Sequence, residues 1–353
     1  MARRVDLRIE VSSVVGFDHS ATLAVTVLLP ELERLPARPV VCFAKPGGGY
    51  SRGYYTCDLP GPVAGAQADF HAERGWIFVA MDNLGSGDSM LPANEQSDMA
   101  ATVAAAQAAE SEILARLANG VLEPGYPPVA QPVVIGIGHS TGALLTIVQQ
   151  ARHRLYDGVG VLGFSAVQSL PPTPPGGDPV VTAWFARDIP MGRPGALLNP
   201  EAVASAAQGV GQSSAWNSIT WSFHYDDVPA EVVEQDMAHY ERIAAVVGED
   251  EKLSSHPYYS SVSPNVARYV LTPGIVALEA AALTVPVFSG IGVRDLVPDP
   301  RGEASAFRSA PSFDQFICPR LGHMHNFGGT RALFWERIHR FGEWAAAFKA
   351  ART

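Results

Sequence analysis

Apolar residues along this chain form short runs typical of buried strands, separated by longer segments with helical spacing. The strand-like runs are residues 39–44, 76–81, 133–138, 159–164, 285–290 and 313–318. Residues 97–117 are alanine-rich with a stop signal at Asn119-Gly120, and residues 330–349 are amphipathic, so both are predicted helices. Strands that alternate with helices predict an α/β fold with a mostly parallel sheet covered on both faces.

The beginning of the chain has a different pattern. Residues 5–15 and 22–29 alternate apolar with polar positions and are rich in β-branched side chains. This predicts an antiparallel hairpin at one edge of the sheet.

The strand and helix alternation is interrupted after residue 164. A proline cluster at 171–177 predicts a rigid, non-helical linker. Helical stretches and scattered aromatic residues follow, until the strand pattern resumes at residue 285. We therefore predict a core domain formed by residues 1–169 and 281–353, with residues 170–280 as a helical cap inserted into it.

Composition restricts the class of protein. The chain has 353 residues, of which 47% are hydrophobic and 17% charged, enough to bury a large core. A net charge of −10 with no basic stripe argues against a nucleic-acid partner. No apolar run approaches the ~18 residues of a membrane span, and the first residues lack a secretory pattern. Three cysteines without zinc spacing fit a reduced, cytoplasmic setting.

The segment from Val133 to Leu145 carries the strongest chemical signal. An apolar strand runs into Gly138-His139-Ser140-Thr141-Gly142, and a helix follows. A Gly-x-Ser-x-Gly turn in this context predicts a nucleophile elbow, in which Ser140 lies on strained backbone with its hydroxyl exposed. The N–H of Thr141 at the helix start can stabilise a developing oxyanion.

A serine nucleophile needs a general base and a carboxylate that orients the base. Asp295 follows the strand at 285–290 and a glycine turn, which predicts a carboxylate at the carboxyl edge of the sheet; Asp299 is the alternative. His323 follows the strand at 313–318, and His325 is the alternative base. The order serine, acid, histidine is the one expected for a sheet of this kind. The remaining histidines, His224 and His239 among them, are interpreted as structural.

A glycine-rich loop follows the strand at 39–44. Glycine lets the backbone approach a substrate closely, so the N–H groups of Gly48, Gly49 and Tyr50 are candidate oxyanion donors together with Thr141. The loop has no Gly-Lys-Ser/Thr sequence, so it is not a phosphate-binding P-loop.

In this order, these elements resemble the α/β-hydrolase superfamily. The segments that carry the resemblance are residues 47–50, 82–89, 138–142, 295 and 322–323. The resemblance implies an eight-stranded, mostly parallel sheet, a mobile cap at 170–280, a Ser140–Asp295–His323 triad and no cofactor or metal. The chain departs from many members at Lys45-Pro46, where they have histidine, and this leaves open which glycine N–H binds the oxyanion.

The expected activity is hydrolysis of small to medium apolar carboxylic esters. Trp184, Trp221 and Phe223 are expected either to contact an apolar substrate group or to form the cap core. A lactonase, thioesterase or amidase would use the same residues. Two other classes stay open, a metallohydrolase using His323 and His325 and a non-catalytic ligand-binding protein. Pairing of the edge hairpin would give a homo-oligomer.

Overall fold

The computed structural model describes residues 2–16, 20–90, 98–178, 180–189, 193–208, 211–245, 256–262 and 268–352. Eight strands form a single sheet. They are β1 Arg3–Glu10, β2 Thr22–Leu29, β3 Val40–Lys45, β4 Ile77–Met81, β5 Val133–His139, β6 Gly158–Leu162, β7 Val287–Arg294 and β8 Phe313–Gly322.

The strand order across the sheet is β1-β2-β4-β3-β5-β6-β7-β8. Strand β2 is antiparallel to both β1 and β4, and all other neighbouring strands are parallel. The parallel strands therefore place their carboxyl ends at one edge, where ligands bind in sheets of this type. This confirms the predicted α/β fold with a mostly parallel sheet.

The described helices lie on both faces of the sheet and beyond its carboxyl edge. They are α1 Ser12–Val15, α2 Gly53–Thr56, α3 Gln67–Ala72, α4 Met99–Ala118, α5 Thr141–His153, α6 Pro200–Gln208, α7 Gly211–Phe223, α8 Ala230–Ala245, α9 Ala277–Ala281 and α10 Arg331–Arg352. Short 3₁₀ helices occur at Leu32–Arg34, Pro300–Ala306 and His325–Phe327.

Two apolar cores lie on opposite faces of the sheet because successive strand residues point to opposite sides. Val41 and Phe43 of β3 contribute to the core that α4 and α5 cover. Cys42 and Ala44 of the same strand contribute to the core that α3 and α10 cover. Parallel strands covered on both faces have almost no polar positions, which explains the uninterrupted apolar runs in the sequence.

Two segments differ in detail from the sequence expectation. The edge hairpin is present, but its first strand ends at Glu10 and residues 12–15 form the short helix α1. The last strand continues to Gly322, beyond the expected end at residue 318. Helices α6, α7, α8 and α9 all lie between β6 and β7, where the cap is predicted; the division into core and cap stays a prediction.

Candidate active site

Ser140 lies on the turn between β5 and α5 with φ 53° and ψ −118°. This conformation is strained for any residue with a Cβ atom. A Cβ on Gly138 would lie 2.1 Å from the carbonyl oxygen of Gly142, and one on Gly142 would lie 2.2 Å from that of Lys45. Both glycines are therefore required for the strand, the turn and the helix to pass this closely.

Asp295 follows β7 directly, and its buried carboxylate accepts four hydrogen bonds. His323 Nδ1 donates at 2.7 Å and His325 Nε2 at 3.0 Å. The N–H groups of Gly292 and Leu296 donate at 3.0 and 2.7 Å. Burial alone would raise the pKa of Asp295, but the charge and hydrogen bonds of the two histidines hold it well below its usual range. The carboxylate therefore stays ionised.

His323 and Ser140 line the same cavity, although they are far apart in sequence. His325 binds the other oxygen of Asp295 and is not part of the cavity wall. Asp299 instead caps the 3₁₀ helix at residues 300–306 by accepting the N–H of Gly302 at 3.1 Å. The structure thus places Ser140 and His323 at one cavity, with Asp295 hydrogen-bonded to His323.

Two residues that the sequence analysis did not single out position His323. The ring of His139 donates from Nε2 to the carbonyl oxygen of His323 at 2.8 Å, and burial beside His323 and His325 holds the pKa of His139 well below 6.5. Gly163 has φ +57°, and a Cβ there would lie 3.0 Å from His323 Nδ1. His139 could have been noticed from its place beside Ser140, but nothing local marks Gly163.

The glycine loop, which we define as residues 46–50, lies against the elbow. A Cβ on Gly47 would lie 3.3 Å from Ser140 Cβ, and one on Gly48 would lie 3.3 Å from Thr141 Oγ1. The N–H of Tyr50 donates to the carbonyl of Gly47 at 3.3 Å, and Gly49 has φ +85°, as in a type II turn with glycine at its third position.

Of the four candidate oxyanion donors, Gly48 and Thr141 line the cavity with Ser140. A Cβ on Gly49 would face helix α8, but its N–H points away from Tyr240 of that helix, because Tyr240 holds the carbonyl of the same peptide unit, that of Gly48. The N–H of Tyr50 is engaged within the turn, and its hydroxyl donates to Asp236 away from the cavity. Gly47 belongs to the same predicted glycine-rich loop, and a Cβ on it would lie 3.3 Å from Ser140 Cβ.

The cavity has a volume of about 310 Å³, and its wall is mainly apolar. Ile219, Phe223 and Leu271 contribute side chains, and the ring of Phe223 packs 5.0 Å from that of His323. No lysine, arginine, aspartate or glutamate lies among the described residues of the wall. The cavity therefore favours the binding of an apolar substrate group.

Two of the three predicted substrate-binding aromatic residues lie outside this wall. The ring of Trp221 packs 4.5 Å from the guanidinium of Arg294, and Arg294 pairs with Asp226. The backbone of Trp184 is bound to the side chain of Asn199. Of the three, only Phe223 lines the cavity. All three lie between β6 and β7, so packing and not position along the chain separates them.

The described part of the chain contains no group of three or more His, Cys, Asp or Glu side chains that could hold a metal ion. His323 and His325 both bind Asp295 through one ring nitrogen each. Within the same described residues, no helix is long and apolar enough to cross a membrane.

Comparison with known proteins gives a result for structure and none for sequence. No protein-family model matches the chain, and no curated protein sequence matches it significantly. Among solved structures, a thermophilic esterase from Thermogutta terrifontis has a TM-score of 0.57 at 13% identity, covering 96% of this chain and 99% of that one. Proline iminopeptidase from Mycobacterium smegmatis has a TM-score of 0.56 at 14% identity, with 97% and 98% covered.

A haloalkane dehalogenase variant from Bradyrhizobium elkanii also matches, with a TM-score of 0.56 at 14% identity over 99% of this chain and 100% of that one. The chain has the α/β-hydrolase fold. The named activities of these three proteins differ, so the α/β-hydrolase fold by itself does not select a reaction. The reaction has to be inferred from the residues at the carboxyl edge of the sheet.

Proposed function

We propose that this chain is a serine hydrolase that cleaves small to medium apolar carboxylic esters. The observation that carries the proposal is the shared cavity of Ser140 and His323, together with the 2.7 Å hydrogen bond from His323 Nδ1 to Asp295. The strained backbone at Ser140 costs free energy of folding, which an ordinary surface turn would avoid. This cost supports a functional role for Ser140.

In the proposed acylation step, His323 Nε2 takes the proton of the Ser140 hydroxyl while Oγ bonds to the ester carbonyl carbon. The carbonyl oxygen becomes an oxyanion, which the N–H of Thr141 and N–H groups of the glycine loop stabilise. The C–O bond to the alcohol then breaks, and the alcohol leaves with the proton from His323. The ionised Asp295 holds the ring orientation and stabilises the imidazolium.

Deacylation reverses these roles. His323 takes a proton from a water molecule whose oxygen bonds to the acyl carbon, and the bond to Oγ breaks as Ser140 recovers the proton. The products are a carboxylic acid and an alcohol, and the residues return to their starting states. No step needs a cofactor.

The cavity wall supports uncharged substrates. Its volume lies at the lower end of the ~300–1,000 Å³ typical of ligand pockets. A substrate with a free α-amino group, such as an aminopeptidase cleaves, would find no carboxylate in the described wall. Esters and lactones are therefore favoured over peptides with a free α-amino group, and lactones or thioesters would use the same atoms.

A fluorophosphonate probe tests the nucleophile. The wild-type protein should be labelled on Ser140, with the site mapped by peptide mass, and Ser140→Ala should not be labelled. Absence of label in the wild type, or label on another residue, would overturn the proposal.

A matched pair of esters tests the substrate class. p-Nitrophenyl valerate and mono-p-nitrophenyl glutarate have acyl groups of similar length, but the second carries a carboxylate. An unpaired charge in an apolar cavity costs several kcal/mol, so kcat/KM for the charged ester should be at least about 100-fold lower. Equal values would contradict the assignment of the cavity as the acyl site.

A further inference from the structure

One face of helix α8 contacts the glycine loop residue by residue. The hydroxyl of Tyr240 donates to the carbonyl of Gly48 at 3.0 Å. The ring of His239 donates from Nε2 to the carbonyl of Gly49 at 2.8 Å, and Asp236 accepts the hydroxyl of Tyr50. These three positions of α8 are i, i+3 and i+4, which lie together on one side of a helix.

The side chains of α8 that make this contact are held in place because they are buried. Asp236 and His239 are fully buried, and Asp236 is held from behind by His224 Nε2 at 2.7 Å. The ring of His239 stacks on Tyr259 with centroids 4.2 Å apart. A polar side chain buried at this depth is normally held by its hydrogen bonds, so the direction of each donor is restricted.

A second cap segment adds backbone bonds to the same loop. The N–H of Ser260 donates to the carbonyl of Gly49 at 2.8 Å, and the N–H of Ser51 donates to the carbonyl of Tyr258 at 2.9 Å. Tyr50 and Tyr259 form an antiparallel bridge. The carbonyl of Gly49 therefore has two donors, whereas Tyr240 is the donor that the described residues provide to Gly48.

A hydrogen bond that fixes the direction of a carbonyl also fixes the direction of the N–H group in the same peptide unit. A trans peptide unit is planar, and its C=O and N–H point in opposite directions. Asn83 Nδ2 holds the carbonyl of Pro46 at 3.2 Å, Tyr50 holds that of Gly47, and Tyr240 holds that of Gly48. These three contacts set the directions of the N–H groups of Gly47, Gly48 and Gly49.

We infer that helix α8 positions the oxyanion loop, with Tyr240 and His239 as positioning residues for the transition state of the reaction. Tyr240 fixes the direction of the Gly49 N–H through the carbonyl of Gly48. His239 acts one step further away: the carbonyl of Gly49 shares a peptide unit with the Tyr50 N–H, which in turn holds the carbonyl of Gly47 and so fixes the Gly48 N–H. This inference rests on the proposed ester hydrolysis. The cap would then act on the reaction as well as enclose the substrate, because movement of α8 away from the core would break the hydrogen bonds to the carbonyls of Gly48 and Gly49. The closed arrangement is then the one in which the loop can stabilise an oxyanion.

Conservative substitutions separate positioning from packing. Tyr240→Phe removes the hydroxyl that binds Gly48, and His239→Phe removes the donor to Gly49 but keeps an aromatic ring. His239→Gln retains an N–H donor and should recover activity. Tyr126→Phe is the matched control, because that hydroxyl binds the carbonyl of Pro30 at 3.4 Å, away from the site.

For p-nitrophenyl butyrate, we expect kcat to fall about tenfold in Tyr240→Phe and about threefold in His239→Phe, since Gly49 keeps its second donor. KM should change less than about twofold, and affinity for a trifluoromethyl ketone, which forms a tetrahedral adduct, should fall in parallel with kcat. His239→Gln and Tyr126→Phe should behave as the wild type.

Three results would overturn the inference. In the first, kcat and inhibitor affinity in both phenylalanine variants stay within twofold of the wild type. In the second, Tyr240→Phe raises KM at constant kcat, which would mean that Tyr240, which also lines the cavity, contributes only to substrate binding. In the third, amide hydrogen exchange of residues 47–50 is unchanged in Tyr240→Phe, a measurement that needs no turnover. If the wild type itself neither hydrolyses esters nor takes the fluorophosphonate label, the proposed function fails and this inference fails with it.

Discussion

We expect the variant Ser140→Gly to be more stable than Ser140→Ala, although glycine usually makes a folded protein less stable than alanine does. The reason is the backbone at residue 140, with φ 53° and ψ −118°. Ser140→Ala removes the hydroxyl but keeps the Cβ atom and its steric conflict. Ser140→Gly removes both, so the difference between the two variants isolates the strain of the elbow.

The size of the difference follows from two opposing terms. Strain in a sparsely populated backbone region costs about 1–3 kcal/mol. Glycine loses more conformational freedom on folding, which costs about 0.5–1 kcal/mol relative to alanine. We therefore expect the free energy of unfolding of Ser140→Gly to exceed that of Ser140→Ala by about 1 kcal/mol.

Ser218 provides the control for this comparison. It is buried within α7, and its hydroxyl has no hydrogen-bond partner among the described residues. Glycine in a helix interior is less favourable than alanine by about 1 kcal/mol, so the order of the two variants should reverse at this position.

Urea unfolding followed by tryptophan fluorescence measures all four variants, and the six tryptophans of the chain provide the signal. Neither Ser140 variant should take the fluorophosphonate label. If Ser140→Gly is no more stable than Ser140→Ala, the elbow stores no strain, and its backbone conformation gives no support to a functional role of Ser140.

Three further predictions concern buried charged or ionisable groups. His323→Gln should lower kcat at least ~1,000-fold and His325→Gln less than ~10-fold; equal losses in ester assays would contradict His323 as the base. Glu110→Gln leaves the buried Lys45 ammonium, 2.6 Å away, without its counter-charge. The free energy of unfolding, measured in urea, should therefore fall by about 3–5 kcal/mol. A loss below ~1 kcal/mol would show that the ion pair is dispensable for stability. Burial holds the pKa of His71 well below 6.5, so the unfolded chain binds a proton that the folded protein does not, and stability should fall as pH decreases from 6.5. His71→Phe should reduce that slope by about 1.4 kcal/mol per pH unit, and an unchanged slope would refute the assignment.

The sequence by itself was sufficient for the features that depend on local patterns. Uninterrupted apolar runs marked the buried parallel strands, because both faces of such strands are covered. Gly138 and Gly142 around Ser140 marked the elbow, because its turn needs residues without a Cβ atom at fixed spacing. The order of Ser140, an acid after the seventh strand and a histidine after the eighth followed from the alternation of elements.

Only the tertiary structure decided among neighbouring candidates. His323 and His325 both bind Asp295, and the observation that favours His323 is its place in the cavity with Ser140. The same applies to Phe223, which reaches the cavity wall while Trp184 and Trp221 do not. Positions two residues apart have the same local context, so their surroundings have to be observed.

The contacts between α8 and the glycine loop are the clearest case. The residues that they join, Tyr50 with Asp236, Gly49 with His239 and Gly48 with Tyr240, are 186 to 192 positions apart. The spacing of the α8 residues indicates one helix face, but it contains no information about what that face contacts. Local sequence determines which groups share a surface of an element, and the packing of distant elements decides which chemistry that surface serves.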